Sequence, residues 1–356
     1  MPKEKREKIR NYRTFRPMTR LIFHPIILCC LAMCCTLTYC KAQSPGKPSA
    51  KKLRILLISD LNDSYGSVTY STEVHAMMRD MAMLQPDMIL CGGDMVAGQR
   101  SSLTRENIDA MWRGFDTAVW QPIRALLRPF GFTLGNHDAS PGFARDRAAA
   151  SDFWQAHKAQ TQLQFVDDTH YPFYFSYVQQ DVFFISWDAS SAVIPDSLQQ
   201  WMRLQLALPV AIKAQARVVL GHLPLYALVA AKNKRGEVLN AADSTLAFFK
   251  MNKVDLYISG HQHAYFPGTK EKLALLHSGC LGGGPRPLLG DSVTGRKSYA
   301  IIEIQKRRRR VQFTVQGYLI DGHSPIALES LPKKITGFNG SVERWKKSRY
   351  KVSKKY

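Results

Sequence analysis

Cysteine is scarce where a folded body would need it. Of the seven cysteines, Cys29, Cys30, Cys34, Cys35 and Cys40 crowd into one N-terminal stretch, and Cys91 and Cys280 stand alone. Two thiols so far apart exclude a disulfide framework, so buried free thiols are expected, with a single bridge as the alternative in an oxidising compartment. Acidic residues are also few, 28 against 49 Lys and Arg, for a formal net charge of +21. The excess is local: residues 1–42, 306–310 and 333–356 carry +7, +5 and +8, which leaves about +1 for the rest of the chain. A nearly neutral body offers no basic groove interleaved with aromatics, so specific nucleic-acid binding is not expected. The C-terminal charge instead suits contact with an anionic membrane or envelope polymer. Internal repeats are absent, and only one long apolar run exists.

That run, Leu21 to Tyr39, is broken by His24, Pro25 and threonines, follows Arg20 and precedes Cys40-Lys41-Ala42. Small residues stand where a signal peptidase reads, so residues 1–42 read as an export signal cut after Ala42. A start at Met18 would make that signal compact. Export places the protein in the periplasm or outside the cell. The alternatives are an uncleaved membrane anchor, for which the segment barely reaches the ~20 residues a bilayer core requires, and lipoprotein processing at Cys34 or Cys40, which the bulky Met33 and Tyr39 before them disfavour. Residues 43–52 are a Ser/Pro/Lys/Gly linker, residues 53–320 one domain and residues 321–356 a basic C-terminal tail, expected to be mobile from Lys333 for want of a sustained apolar face.

Within the domain, apolar runs alternate with segments of helical period. Val74, Met77, Met78, Met81 and Leu84 recur at helical spacing between runs at 53–58 and 88–91, and Ile108 to Leu126 form a longer stripe that ends before Pro129. Residues 148–165 suggest a helix, and Phe173–Val178 with Val182–Trp187 an antiparallel hairpin. Helices over 197–208 and 241–251 precede further strands. The pattern predicts an α/β fold of two packed mixed β-sheets flanked by helices.

Five of these strands end in short polar words. They are Ser59-Asp60-Leu61-Asn62, Gly93-Asp94, Gly135-Asn136-His137-Asp138, Gly221-His222 and Gly260-His261-Gln262-His263. Ligand sites in open α/β sheets gather at the carboxyl edge of strands, which is where each word falls. Their hard oxygens and imidazoles suit first-row divalent ions or iron. The order and content of the five words resemble those of the calcineurin-like metallophosphoesterases over residues 53–317. That resemblance implies a four-layer α/β sandwich and a phosphoric ester hydrolase carrying two metal ions of the Mn, Fe, Zn or Mg kind. It implies that Asp94 bridges the ions, that Asp60 and His263 complete one site, with Asn62 at the family's histidine position, and that Asn136, His222 and His261 complete the other. A hydroxide held between the ions would attack the phosphorus of a small monoester or diester. His137 would act at the leaving group as the catalytic acid.

Two departures matter. The first word has Asn62 where the family has histidine, which predicts a looser first site, or a capped loop if Asn62 turns to the backbone near Ser64 and Tyr65. An alternative reading is therefore a metal-containing binding protein without turnover. The second word, Gly93-Asp94-Met95-Val96-Ala97-Gly98, lacks both the Asp-Arg of phosphoprotein phosphatases and the tyrosine ligand of purple acid phosphatases. Asp138 is placed either to orient His137 or to cap its turn, and Tyr65, Tyr226, Tyr265 and Arg286 are candidates for the cleft mouth. The run Gly282-Gly283-Gly284 reads as a close backbone approach.

Overall fold

A computed structural model describes residues 52–353 apart from 292, 308 and 309. Residues 1–42, read from the sequence as an export signal, and most of the linker lie outside them. The described residues belong to one compact unit, Ser49–Tyr356, and no helix among them is long and apolar enough to cross a membrane.

Fifteen strands are described: β1 Lys52–Ile58, β2 Met88–Cys91, β3 Phe130–Phe132, β4 Gln164–His170, β5 Tyr174–Gln179, β6 Val182–Ser186, β7 Ala216–Leu220, β8 Leu256–Ser259, β9 Phe266–Lys270, β10 Leu273–His277, β11 Ser298–Arg307, β12 Arg310–Leu319, β13 Lys334–Gly337, β14 Gly340–Arg344 and β15 Arg349–Ser353. They make a six-stranded sheet, β15-β12-β11-β1-β2-β3, and a nine-stranded sheet, β13-β14-β9-β10-β8-β7-β6-β5-β4. Both sheets are mixed. The pairs β1/β2 and β2/β3 are parallel in the first, and β6/β7, β7/β8 and β8/β10 in the second, with antiparallel strands outside.

Strand period sorts the core. In β7, Val218 and Leu220 pack with Ile55, Leu57 and Leu90 of the other sheet, whereas Val219 turns to a second core with Met202, Leu206 and Phe249 from the helices Asp196–Ala207 and Ala242–Met251. Because β1, β2, β7 and β8 are covered on both faces, they read as continuous apolar runs. The helices Thr72–Asp80 and Arg105–Phe115 start at Ser71 and Thr104, whose hydroxyls accept from Val74 N and Asn107 N. The long stripe between 99 and 128 is not one α-helix: a π-helical stretch, Asp116–Trp120, joins Arg105–Phe115 to Gln121–Ala125. That wider turn seats both Val119 and Trp120 in the core. The 148–165 helix sits earlier, at Ala144–His157.

The tail expectation fails. Residues 334–353 form three strands, with β15 closing the first sheet against β12 and β14 pairing β9 in the second. Ile335, Val342 and Trp345 are buried, and the Trp345 indole donates to Gly268 O at 2.6 Å. Each strand is short and buries only one or two side chains between charges, so no sustained apolar face shows in the sequence. Cys91 and Cys280 are buried free thiols.

Candidate metal centre

The carboxyl ends of β1, β2, β7 and β8 meet at one edge, and backbone hydrogen bonds hold their turns in register. Asp60 N donates to Gly93 O at 2.9 Å, Leu61 N to Asp94 O at 2.9 Å, and Gly260 N to His222 O at 3.0 Å. Four of the side chains brought together sit on left-handed backbone: Asp60 (φ 51°), Asp94 (54°), His261 (68°) and His263 (55°). Such conformations cost roughly 1–3 kcal/mol each and persist where the surroundings impose them, commonly at functional sites. Gly93 (φ 97°) has no alternative, since a Cβ there would lie 2.6 Å from His222 Nδ1 and 2.8 Å from Gly135 N.

Two donor groups share one carboxylate. Asp94, His222 and His261 bring ligand atoms within 4.8 Å of one another, and so do Asp60, Asp94 and His263. Around His222 Nε2 lie Asp94 Oδ2 at 3.2 Å, Asn136 Oδ1 at 3.0 Å and His261 Nδ1 at 3.2 Å. In the other group His263 Nε2 is 3.2 Å from Asp60 Oδ1. These separations match the ~3.0 Å edges of an octahedron with bonds of about 2.1 Å, so the donors fit a first-row ion or Mg in each group.

The outer contacts select the donor nitrogens. His222 Nδ1 lies 2.7 Å from Gly92 O and His263 Nδ1 3.0 Å from Gly284 O, which places the ring proton on Nδ1 and frees Nε2 as a ligand. At His261 the order reverses. Its Nε2 meets Glu237 Oε2 at 2.8 Å and leaves Nδ1 facing Asp94 and His222. Glu237, also paired with Lys232 Nζ at 3.0 Å, is a contact that sequence reasoning missed, because it stands in a loop without a motif.

Charge points the same way. Burial opposes a charged His222, but Asp94 and Asp60 outweigh it and raise its pKa to about 9. Burial would likewise raise Asp94, yet the histidines around it hold its carboxyl well below the ordinary range. The buried carboxylates thus demand positive charge at this spot, which bound cations would supply. Glu237 is drawn down to about 2, first by its hydrogen bond to His261, against the effect of burial, and further by Lys232.

Asp138 does not touch His137. Its carboxylate accepts from Gly135 N, Met95 N and Val96 N at 2.8, 2.8 and 2.9 Å, stitching the second motif loop to the third. Nor does Asn62 cap its loop, for Ser64 N binds Asp63 Oδ1 at 2.9 Å instead. The Asn62 carboxamide is 7% exposed and makes no side-chain hydrogen bond among the described residues. Gly282 and Gly283 donate to Asp60 O and Asn62 O, each at 2.8 Å, and a Cβ at Gly282 would collide with Asn62 O, so the glycine run is the close approach expected.

A cleft of 290 Å³ opens beside the donors, lined by Tyr65, Gln99, Asn136, His137, Ser140, Ser190, Ser191, Leu223, Lys232, Gly236, Glu237 and His261. His137 Nδ1 is 3.1 Å from Gly98 O, its N–H backbone group binds Asp94 Oδ1 at 2.9 Å, and the Tyr65 ring lies 5.1 Å away. Of the candidates for the mouth, only Tyr65 lines this cleft. Tyr226 and Tyr265 are buried, and Arg286 borders a separate apolar cavity of 260 Å³.

The calcineurin-like phosphoesterase profile matches residues 53–265. The chain belongs to that family. A purple acid phosphatase from yellow lupin (Lupinus luteus) seeds shares the fold at TM-score 0.58 and 14% identity, over 86% of this chain and 55% of that one. The chain therefore spans little more than half the length of the lupin protein. GAP50, the anchor in the inner membrane complex of Plasmodium, aligns at TM-score 0.47 and 16% identity over 78% of this chain and 87% of its own. No curated protein matches at the level of sequence. Members of the family typically bind a dinuclear metal centre, and the two Asp/His groups could hold one.

Asn62 can be tested directly. The second group offers four donors, counting Asn136, and the first three, so chelation is expected to strip the first ion earlier. Asn62→His would add an imidazole there and is expected to tighten first-site manganese affinity about tenfold, equivalent to ~1.4 kcal/mol. Titration of metal-free protein decides it, since an unchanged or weaker affinity removes Asn62 from the ligand set.

Proposed function

We propose that this phosphoesterase is an exported hydrolase of small phosphomonoesters or phosphodiesters. Its ligands would be Asp60, Asp94 and His263, with Asn62 beside them, at one ion, and Asp94, Asn136, His222 and His261 at the other. The sharing of Asp94 between two donor groups beside a polar cleft carries this reading. Two ions so placed supply Lewis acidity and lower the pKa of a water molecule. The chain does the rest. His137, with Nδ1 held by Gly98, keeps Nε2 for a proton to hand to the departing oxygen. Glu237 holds the His261 ring so that Nδ1 stays inward, and Asp138 fixes the loop that presents Asn136 and His137. Among the described residues Lys232 is the only Lys or Arg lining the cleft, and it is already paired with Glu237, so phosphate charge would be met chiefly by the ions.

The test is hydrolysis of a chromogenic monoester and diester with Mn, Fe, Zn and Mg in turn. Absence of turnover with every metal would sink the hydrolase reading and favour the metal-containing binding protein, which the three-donor first site supports. His137→Ala is expected to keep both ions and slow hydrolysis by ~10²–10⁴. Metal analysis that finds an ion lost would make His137 a ligand instead.

A further inference from the structure

A second concave surface lies on the six-stranded sheet, at the opposite end of β1 from Asp60. Lys52 and Asp60 are eight residues apart along an extended chain, roughly 26 Å, so an object seated at one end leaves the cleft at the other open. The concavity measures 610 Å³ and is lined by Lys52, Glu303, Gln305, Arg307, Arg310, Gln312, Thr314, Arg349 and Lys351. Register places these side chains on one face. Lys52 pairs Gln305, Gln305 pairs Gln312, Gln312 pairs Lys351, and Arg349 pairs Thr314. The alternate residues Leu53, Ile304, Val311 and Phe313 point into the core.

The charge on this face is unbalanced. Glu303 is its sole acid among the described residues and is occupied by Lys52 Nζ and Arg54 Nη1, both at 2.7 Å. Arg307, Arg310, Arg349 and Lys351 make no ion pair among the described residues. Arg307 and Arg310 stand directly opposite across the β11/β12 hairpin, where like charges oppose folding. Four exposed cations held against their mutual repulsion suit an anionic partner.

We propose that this face seats on an anionic lipid bilayer. If the apolar run Leu21–Tyr39 stays as an uncleaved anchor, Lys52 is where the chain arrives from it, over a length that spans at most roughly 45 Å. An apolar span in the bilayer would bring this end of the domain within reach of lipid headgroups. Among the described residues no aromatic side chain lines the concavity, so they offer no stacking platform of the kind single-strand nucleic-acid binders use. The proposal goes beyond the hydrolase reading and does not depend on it.

The test uses residues 49–356, a compact unit with its own two cores, so that the apolar run cannot insert. Co-sedimentation with phosphatidylcholine vesicles, with and without phosphatidylglycerol, is expected to show binding only to the anionic vesicles and its loss in 1 M salt, where screening acts within ~3 Å. The combined variant Arg307→Gln, Arg310→Gln, Arg349→Gln, Lys351→Gln should lose at least about tenfold in affinity, because each basic residue near such a surface is worth on the order of fivefold. Arg307→Lys with Arg310→Lys and Arg349→Lys should retain binding, which separates charge from folding. The proposal is overturned by equal binding to both vesicle types, by undiminished binding of the glutamine variant, or by preferential capture of a DNA oligonucleotide in competition with the vesicles.

Discussion

Asp94→Asn is expected to deplete both ions and to slow hydrolysis by more than the ~10²–10⁴ assigned to His137. On the proposed reading His137 would act only at the leaving group, whereas Asp94 belongs to both donor groups, so its loss would weaken the hold on both ions and with it the Lewis acidity they would supply. The substitution is nearly isosteric, and an amide oxygen can still accept the hydrogen bond from His137 N. It also removes one of three buried carboxylates. Asp138 is raised to about 7, first by burial and then by Asp94, a sign of repulsion that ions or protons must offset. In chelator, the Asn variant should still melt below the parent, because the histidines around Asp94 hold its carboxylate ionised and that buried pairing is lost. Metal analysis, hydrolysis and a melt in chelator separate the cases. Retention of two ions would refute the bridging role, and an unchanged or higher melting point in chelator would refute the stabilising pairing with His222.

Removal of residues 333–356 is expected to abolish folded, soluble protein. The cut takes away β13, β14 and β15, exposes the edges of β9 and β12, and uncovers a place in both cores. Ile335, Val342 and Trp345 are each about 1% exposed, and burying such side chains is worth ~1.5–3 kcal/mol apiece. Their sum is comparable with the ~5–15 kcal/mol by which whole domains are stable. Newly bare strand edges add a route to aggregation. A gentler cut, Trp345→Ala, should cost ~3–5 kcal/mol, since the indole stacks on Tyr350 with ring centroids 5.1 Å apart and bonds Gly268 O. Soluble truncated protein with unchanged turnover and melting point would restore the mobile tail.

How legible a residue was depended on how its information is stored. The helix residues Val74, Met77 and Met78 showed by period, because one helix face meets one core. The π-helical stretch at Asp116–Trp120 keeps the apolar stripe going and so hid inside it. Trp345 was invisible for the opposite reason, as a single large side chain among charges whose burial comes from β9 and β12, far away in sequence.

The sequence by itself determined the two-sheet α/β class, the family and the set of side chains at the strand ends, since each motif joins an apolar run to its turn locally. Tertiary structure alone decided which ring nitrogen faces inward, through Gly92, Gly284 and Glu237. It likewise decided that Asp138 binds backbone and that the C-terminal residues complete both sheets. The reason is physical. A strand and its turn are specified by neighbours along the chain, but an outer hydrogen bond or an added edge strand exists only once segments that are separate in sequence, by as many as 130 positions for Gly92 and His222, have packed together.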